Sequence, residues 1–156
     1  MEPQIVTIEE KKLIGMSVSM SLVDNKTFQV FSTFMPRKKE ILNAVNSDVL
    51  DMRVFPENYY TAFSPAAVFE KWAAVEVAGF DSVPDGMQTL TLPGGQYAVF
   101  HRIGLGTDNS IFEYIFTEWL PHSGFQLDNR PHFDVMGEKF KRNDPNSEED
   151  ICIPVK

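Results

Sequence analysis

The chain has little of what makes covalent staples and metal cages. A single cysteine, Cys152, stands among 156 residues, which excludes an internal disulfide and any cysteine-based zinc cluster and fits a reducing compartment. The three histidines, His101, His122 and His132, have no metal-ligand spacing. Nothing in the sequence implies a cofactor. No run of about 18 apolar residues is present, so no membrane-spanning helix and no membrane partner are expected. The opening Met-Glu-Pro-Gln lacks the character of a signal peptide, and a soluble cytoplasmic protein is the expectation. Positive charge is also short. Fourteen Lys and Arg stand against 22 Asp and Glu, a net −8. A chain this acidic lacks the field that holds phosphate backbones, so no direct nucleic-acid contact is expected. The loop Gly104-Leu105-Gly106-Thr107 precedes a helix but lacks the phosphate-cradling fingerprint.

What is present points to one folded unit. Hydrophobic residues make up 43% and charged ones 23%, the balance of a globular chain. At this length roughly 68–70% of the unfolded surface can be buried without staples. Residues 4–22 read as extended, interrupted at Glu9–Lys12 and followed by an Asp24-Asn25 turn. From Thr27 the apolar residues Phe28, Phe31, Phe34, Ile41 and Val45 fall at helical spacing, and Pro36 divides this stretch into two helical pieces. Residues 53–62 and 69–77 read as strands. Residues 87–92 and 96–103 form two more around Pro93-Gly94-Gly95. Residues 107–121 carry the clearest helical stripe, through Ile111, Phe112, Ile115, Phe116, Trp119 and Leu120. Ser110 with Glu113 has capping-box spacing, and Pro121 with Gly124 ends the element. Residues 133–140 and 151–155 read as closing strands around a polar loop, 142–150.

The order strand–helix–strand–strand therefore occurs twice, in halves near 4–83 and 86–156 of a single domain spanning 1–156. The predicted class is α+β, with antiparallel sheet and two helices. A concave site is expected at the seam between the halves.

The second half carries Gly95-Gln96-Tyr97-Ala98-Val99-Phe100, Glu118-Trp119-Leu120-Pro121-His122-Ser123-Gly124, Pro131-His132-Phe133-Asp134 and Ile151-Cys152-Ile153-Pro154-Val155. The first half adds Phe34-Met35-Pro36-Arg37, Phe69-Glu70-Lys71-Trp72 and Val75-Glu76-Val77. Together these segments resemble the GyrI-like family, the effector-binding domains of AraC-type and multidrug-responsive transcription activators. The resemblance implies a duplicated fold with a pocket between the halves, walled by aromatics and holding acidic groups for lipophilic, often cationic, molecules. It also implies a stand-alone member, since 156 residues leave no room for a helix-turn-helix domain.

The resemblance assigns ligand-binding roles to Asp134, Glu118 and Asp150. Asp134 stands where relatives have a strand Glu, and reaches one methylene less far. Met136 stands where many have an aromatic, and Phe133 directly precedes Asp134. Strand parity puts Glu76 with Trp72 and Ala74, facing either the pocket or solvent. Tyr97 shares a face with His101 and either lines the pocket or belongs to the core. Trp119 packs on the sheet by default, and Cys152 reads as a small strand filler. The physical case for such a site is clear. A carboxylate removed from water needs a positive partner, and each good cation–π contact adds roughly 0.5–2 kcal/mol.

Three functions remain open at this point. The favoured one is capture of a hydrophobic or cationic small molecule by a sensor or sequestering module. The second is a hydrolase of cyclopropane-bearing alkylators, with Glu76 and Glu118 as the acid–base pair. The third is a gyrase-inhibitor-like module acting on a protein partner through its negative charge.

Overall fold

The computed structural model describes residues 1–156. Strands β1 (Gln4–Ile8) and β2 (Lys11–Met20) lead into helix α1 (Thr27–Phe34) and a 3-10 turn at Met35–Glu40. Strands β3 (Val49–Val54), β4 (Phe69–Val77), β5 (Gln88–Leu92) and β6 (Gly95–Ile103) follow. Helix α2 (Ser110–Tyr114), a π turn (Ile115–Trp119) and helix α3 (Leu120–Ser123) run on without a break as a second helical rod. Strands β7 (His132–Met136) and β8 (Glu148–Pro154) complete the chain. No helix is long and apolar enough to cross a membrane.

All eight strands form one antiparallel sheet in the order β1-β6-β8-β7-β3-β4-β2-β5. The order reads the same from either end when each strand is matched to its counterpart in the repeated unit. β7 and β3 meet at the centre, and each unit's leading strand, β1 or β5, crosses to the far edge of the other unit. This explains why the short Pro93-Gly94 link joins two strands that do not pair with each other.

Alternation sorts the side chains into two faces. One face carries Leu13, Leu50, Met52, Trp72, Ala74, Leu92, Tyr97, Phe133 and Cys152 in a single buried cluster, with Val6, Ile8 and Leu90 from the edge strands packed against it. Strands from both ends of the sheet reach one cluster only because the sheet curls into a half-barrel around it. The other face carries the helices. Val30, Phe31 and Phe34 of α1 cover Ile14, Val49, Ala73 and Val75. Ile111, Ile115 and Trp119 of the second rod cover Ala98, Phe100, Ile151 and Ile153. Between these two packed patches the central strands β3 and β7 meet.

Several sequence expectations shift. The strand expected at 53–62 is instead β3, Val49–Val54, followed by turns. Pro56 cannot donate to a ladder, and its carbonyl accepts from Tyr59 N–H at 2.9 Å while that of Asn58 accepts from Ala62 N–H at 2.9 Å. The β-favouring aromatics of this stretch are spent on tertiary packing, not pairing. The strand expected at 133–140 ends at Met136, where Gly137 and a turn to Phe140 stop it. β8 starts early because Glu148 and Glu149 pair with Ile103 and Arg102. The first turn of α2 is held by Asp108, whose carboxylate accepts from Ser110 N–H at 3.0 Å, and the Ser110–Glu113 box does not form. Pro36 does divide the first helical stretch, and Gly124 ends the second rod at φ 80°. Pro121 has no N–H to offer Thr117, and the rod widens to a π turn just before it, with Leu120 N–H reaching Ile115.

Candidate functional site

The gap between the two helical patches has a charged floor. On β3, Asp51 and Arg53 face the helix side. Asp51 lies directly across from Asp134 of β7, and Arg53 across from His132. On the other flank Arg53 is opposite Lys71 of β4. Two carboxylates facing each other across strands repel, and the cations on either side settle this. Arg53 donates from Nη2 to Asp134 Oδ1 at 2.8 Å, with Nη1 3.6 Å from Asp51 Oδ1. Lys71 Nζ donates to Asp51 Oδ1 at 2.7 Å. Arg102 of β6 pairs with Glu149 of β8. Asp51, Asp134 and Glu149 are thus matched by Arg53, Lys71 and Arg102.

Burial governs the titration of this floor. It pushes the Asp134 carboxyl up; Arg53 pulls it back, and Asp51 across the strand adds to the rise. Burial raises Glu149 as well, against its hydrogen bond from Arg102. Burial opposes the Arg53 charge, but Asp134 and Asp51 outweigh it and hold the guanidinium above its ordinary value. Burial, then the nearby Arg53 and Arg130, drive His132 well below the usual histidine range, so its ring is neutral at pH 7.

Aromatic rings roof the floor. The Phe112 ring of α2 lies 5.6 Å from both the Arg53 and the Arg102 guanidinium carbons. Tyr60, from the turn after β3, stacks on Phe116 at 5.4 Å and on His132 at 6.0 Å. Phe55 sets its edge against His132 at 4.8 Å and packs with Tyr59 and Phe69. Phe116 and His132 are themselves 6.2 Å apart, so the three rings form a triangular, near-parallel cluster beside the buried ion pair, with Tyr60 its exposed member. A ligand ring can take the place of Tyr60 against the other two.

The structure separates the residues named from sequence. Asp134 is buried in the floor of this cleft, and Met136 points the same way but packs into the α1 patch. Phe133, Trp72, Tyr97 and Glu76 lie on the opposite face. Trp72 donates from Nε1 to Glu70 at 3.0 Å. Tyr97 is fully buried, donates to the Pro131 carbonyl at 2.9 Å and lies under Arg130 at 4.6 Å; burial pushes its hydroxyl up to about 12. Glu76 pairs with Lys11 at 3.1 Å beside a small hollow of about 90 Å³ that also touches Leu50 and Phe133. Asp150 accepts from His101 at the end of β6. Glu118 lies on the outer side of the second rod, in a groove of about 490 Å³ with Glu2, Ile5, Tyr114, Trp119 and Phe125. Glu76 and Glu118 therefore line different hollows and do not form an acid–base pair. Cys152 is buried, and burial raises its thiol far above the nucleophilic range.

Sequence reasoning missed Arg53, Lys71, Asp51 and Tyr60. Parity would have found the first three once β3 was placed correctly, because alternate residues of β3 and β4 share the helix face with Asp134. Tyr60 left no sequence signal, since its position depends on a turn.

An α+β chain with helices flanking a central aromatic cleft on a half-barrel sheet has the effector-binding fold. Residues 4–155 match the Cass2 family, described as integron-associated effector binding protein, and the chain belongs to that family. No curated protein matches the sequence. Among solved structures the chain is similar to SAV2435 bound to tetraphenylphosphonium, with TM-score 0.69 and 16% identity over 100% of this chain and 94% of that one. It is also similar to the C-terminal domain of EcmrR, with TM-score 0.73 and 12% identity over 99% and 97%. A hydrolase from Listeria innocua has TM-score 0.62 and 12% identity over 99% and 92%. At these identities the likenesses establish the shared fold.

Proposed function

We propose that the chain binds lipophilic organic compounds, cations among them, in the cleft between its two helical patches, and acts as a sensor or sequestering module. The observation that carries this reading is the exposed Tyr60 ring stacked against both Phe116 and His132 beside the buried Asp134–Arg53 pair. Membership of an effector-binding family supports it, as does the tetraphenylphosphonium bound by a protein of the same fold. An incoming ring takes the stacking now made by Tyr60, whose turn swings outward without disturbing the sheet. Flat apolar walls constrain ligand shape weakly, so broad selectivity follows. The central position of the cleft, where β7 meets β3, also supports treating residues 4–83 and 86–156 as two copies of one unit that build the site jointly.

Isothermal titration with tetraphenylphosphonium and a rhodamine dye tests this. Tyr60→Ala is expected to tighten binding several-fold, because the cleft no longer sheds its own ring. Phe116→Ala is expected to weaken it. Binding that ignores both substitutions places the ligand elsewhere and ends the proposal. The separation of Glu76 from Glu118 leaves no observation favouring hydrolysis.

A further inference from the structure

The floor of the cleft is already charge-neutral, and this bears on what the cleft takes. Each of its carboxylates has a resident cation: Arg53 on Asp134, Lys71 on Asp51, Arg102 on Glu149. The Arg53 side chain is 12% accessible and that of Arg102 is 8%. A permanent organic cation entering here loses its hydration and finds no free carboxylate. It gains an ion pair only by evicting a buried guanidinium, which then has nowhere to put its charge.

The donors of the cleft are in the opposite condition. A guanidinium has five N–H donors, and Arg53 makes one hydrogen bond, to Asp134. Arg102 bonds through its two terminal nitrogens to Asp108 and Glu149, while its buried Nε finds no acceptor. Both guanidiniums lie on the same Phe112 ring, and Phe116 and His132 are stacked on each other at 6.2 Å. The buried Nε of Arg102 carries the cost of a donor without an acceptor. The N–H groups of Arg53 that do not bond Asp134 are not sealed in and are free to meet an acceptor on a ligand.

We propose that Arg53 is the specificity-determining residue of the cleft. It occupies the place a cationic ligand would take against Asp134, and so selects uncharged aromatic ligands bearing a strong hydrogen-bond acceptor over permanent cations. This rests on the reading that the cleft is the ligand site. The ring of such a ligand replaces Tyr60 against Phe116 and His132, and its acceptor oxygen receives N–H bonds from Arg53. Removing the guanidinium inverts the preference, because Asp134 then stands without a counterion and an organic cation supplies one.

Triphenylphosphine oxide and tetraphenylphosphonium form a matched probe pair, alike in their phenyl rings and opposite in polar character. In titration calorimetry the wild type is expected to bind the phosphine oxide at least about tenfold more tightly. Arg53→Met is expected to reverse that order. If this variant does not fold, Arg53→Met/Asp134→Asn keeps the floor neutral; it is expected to lose about tenfold or more for the phosphine oxide and to gain nothing for the phosphonium. A wild type that binds the phosphonium as tightly as the oxide overturns the inference. So does an order unchanged in Arg53→Met, or a double variant that keeps its affinity for the oxide. Failure of the underlying reading has a different signature: neither probe binds wild type or Tyr60→Ala, or both bind with no response to Tyr60→Ala and Phe116→Ala.

Discussion

Asp134→Asn tests whether the floor of the cleft is held together by charge. The substitution keeps the shape of the side chain and an acceptor for Arg53, and deletes one negative charge. At an effective dielectric of about 20, two unit charges about 4 Å apart attract by about 4 kcal/mol. The remaining neutral hydrogen bond returns about 1 kcal/mol. The next carboxylate, Asp51, is 3.6 Å from the guanidinium and already bonded to Lys71 at 2.7 Å, so it shares its charge with two cations and compensates in part. Removing the charge also relieves the burial cost that pushes the Asp134 carboxyl up, so a loss of about 1–3 kcal/mol is expected, a sizeable share of the roughly 5–15 kcal/mol of a domain this size. The assay is urea unfolding at pH 7, followed by circular dichroism and extrapolated to water. The paired variant Arg53→Met/Asp134→Leu removes both charges and is expected to lie within about 1 kcal/mol of wild type, since replacing a whole buried pair is nearly neutral. A loss below about 1 kcal/mol for Asp134→Asn refutes the reasoning. So does a double variant whose loss equals the sum of the two single losses.

Two further outcomes follow from the structure. A Cβ added at Gly15 would run into the Ala73 carbonyl oxygen and stand 2.7 Å from the Ala74 Cα, both backbone. Gly15→Ala is therefore expected to part β2 from β4 at a cost of about 2 kcal/mol or more, read as a lower melting temperature and faster amide exchange in those strands. Two histidines are expected to give opposite pH responses. His101, raised by its hydrogen bonds to Asp150 and Glu148, adds stability that is full below pH 6.5 and is lost as pH rises through its folded value. His132, lowered by burial, stays neutral while its unfolded counterpart protonates, so it subtracts stability as pH falls below about 6.5. Unfolding from pH 5 to 8 should show His101→Gln losing most in acid and His132→Phe losing least there.

Much of the frame was legible in the residue pattern. The stripe of Ile111, Ile115 and Trp119 and the spacing of Phe31 and Phe34 announce helices that cover a sheet, although Phe28 of the same spacing is exposed and the buried Val30 carried no such signal. Asp134 was singled out as a strand carboxylate, and the structure buries it against Arg53. What stayed hidden was which face each side chain takes and what stands opposite. Moving one strand from residues 53–62 to 49–54 turns Arg53 from a strand end into the partner of Asp134. Trp72 and Glu76 were rightly placed on one face with Ala74, but local alternation does not say which face the helices cover. The fate of Tyr60 depends on the Pro56 turn and on Phe116, more than fifty residues away, a contact that no local pattern encodes.

The most direct measurement is a crystal structure with triphenylphosphine oxide or tetraphenylphosphonium bound. The account predicts a ligand ring against Phe116 and His132 in the place of Tyr60, Tyr60 displaced outward, and the ligand's polar centre above Arg53 and Asp134. A ligand resting against Trp72 and Tyr97 inside the half-barrel, or beside Glu118 and Trp119 in the outer groove, with Tyr60 still in place, contradicts it.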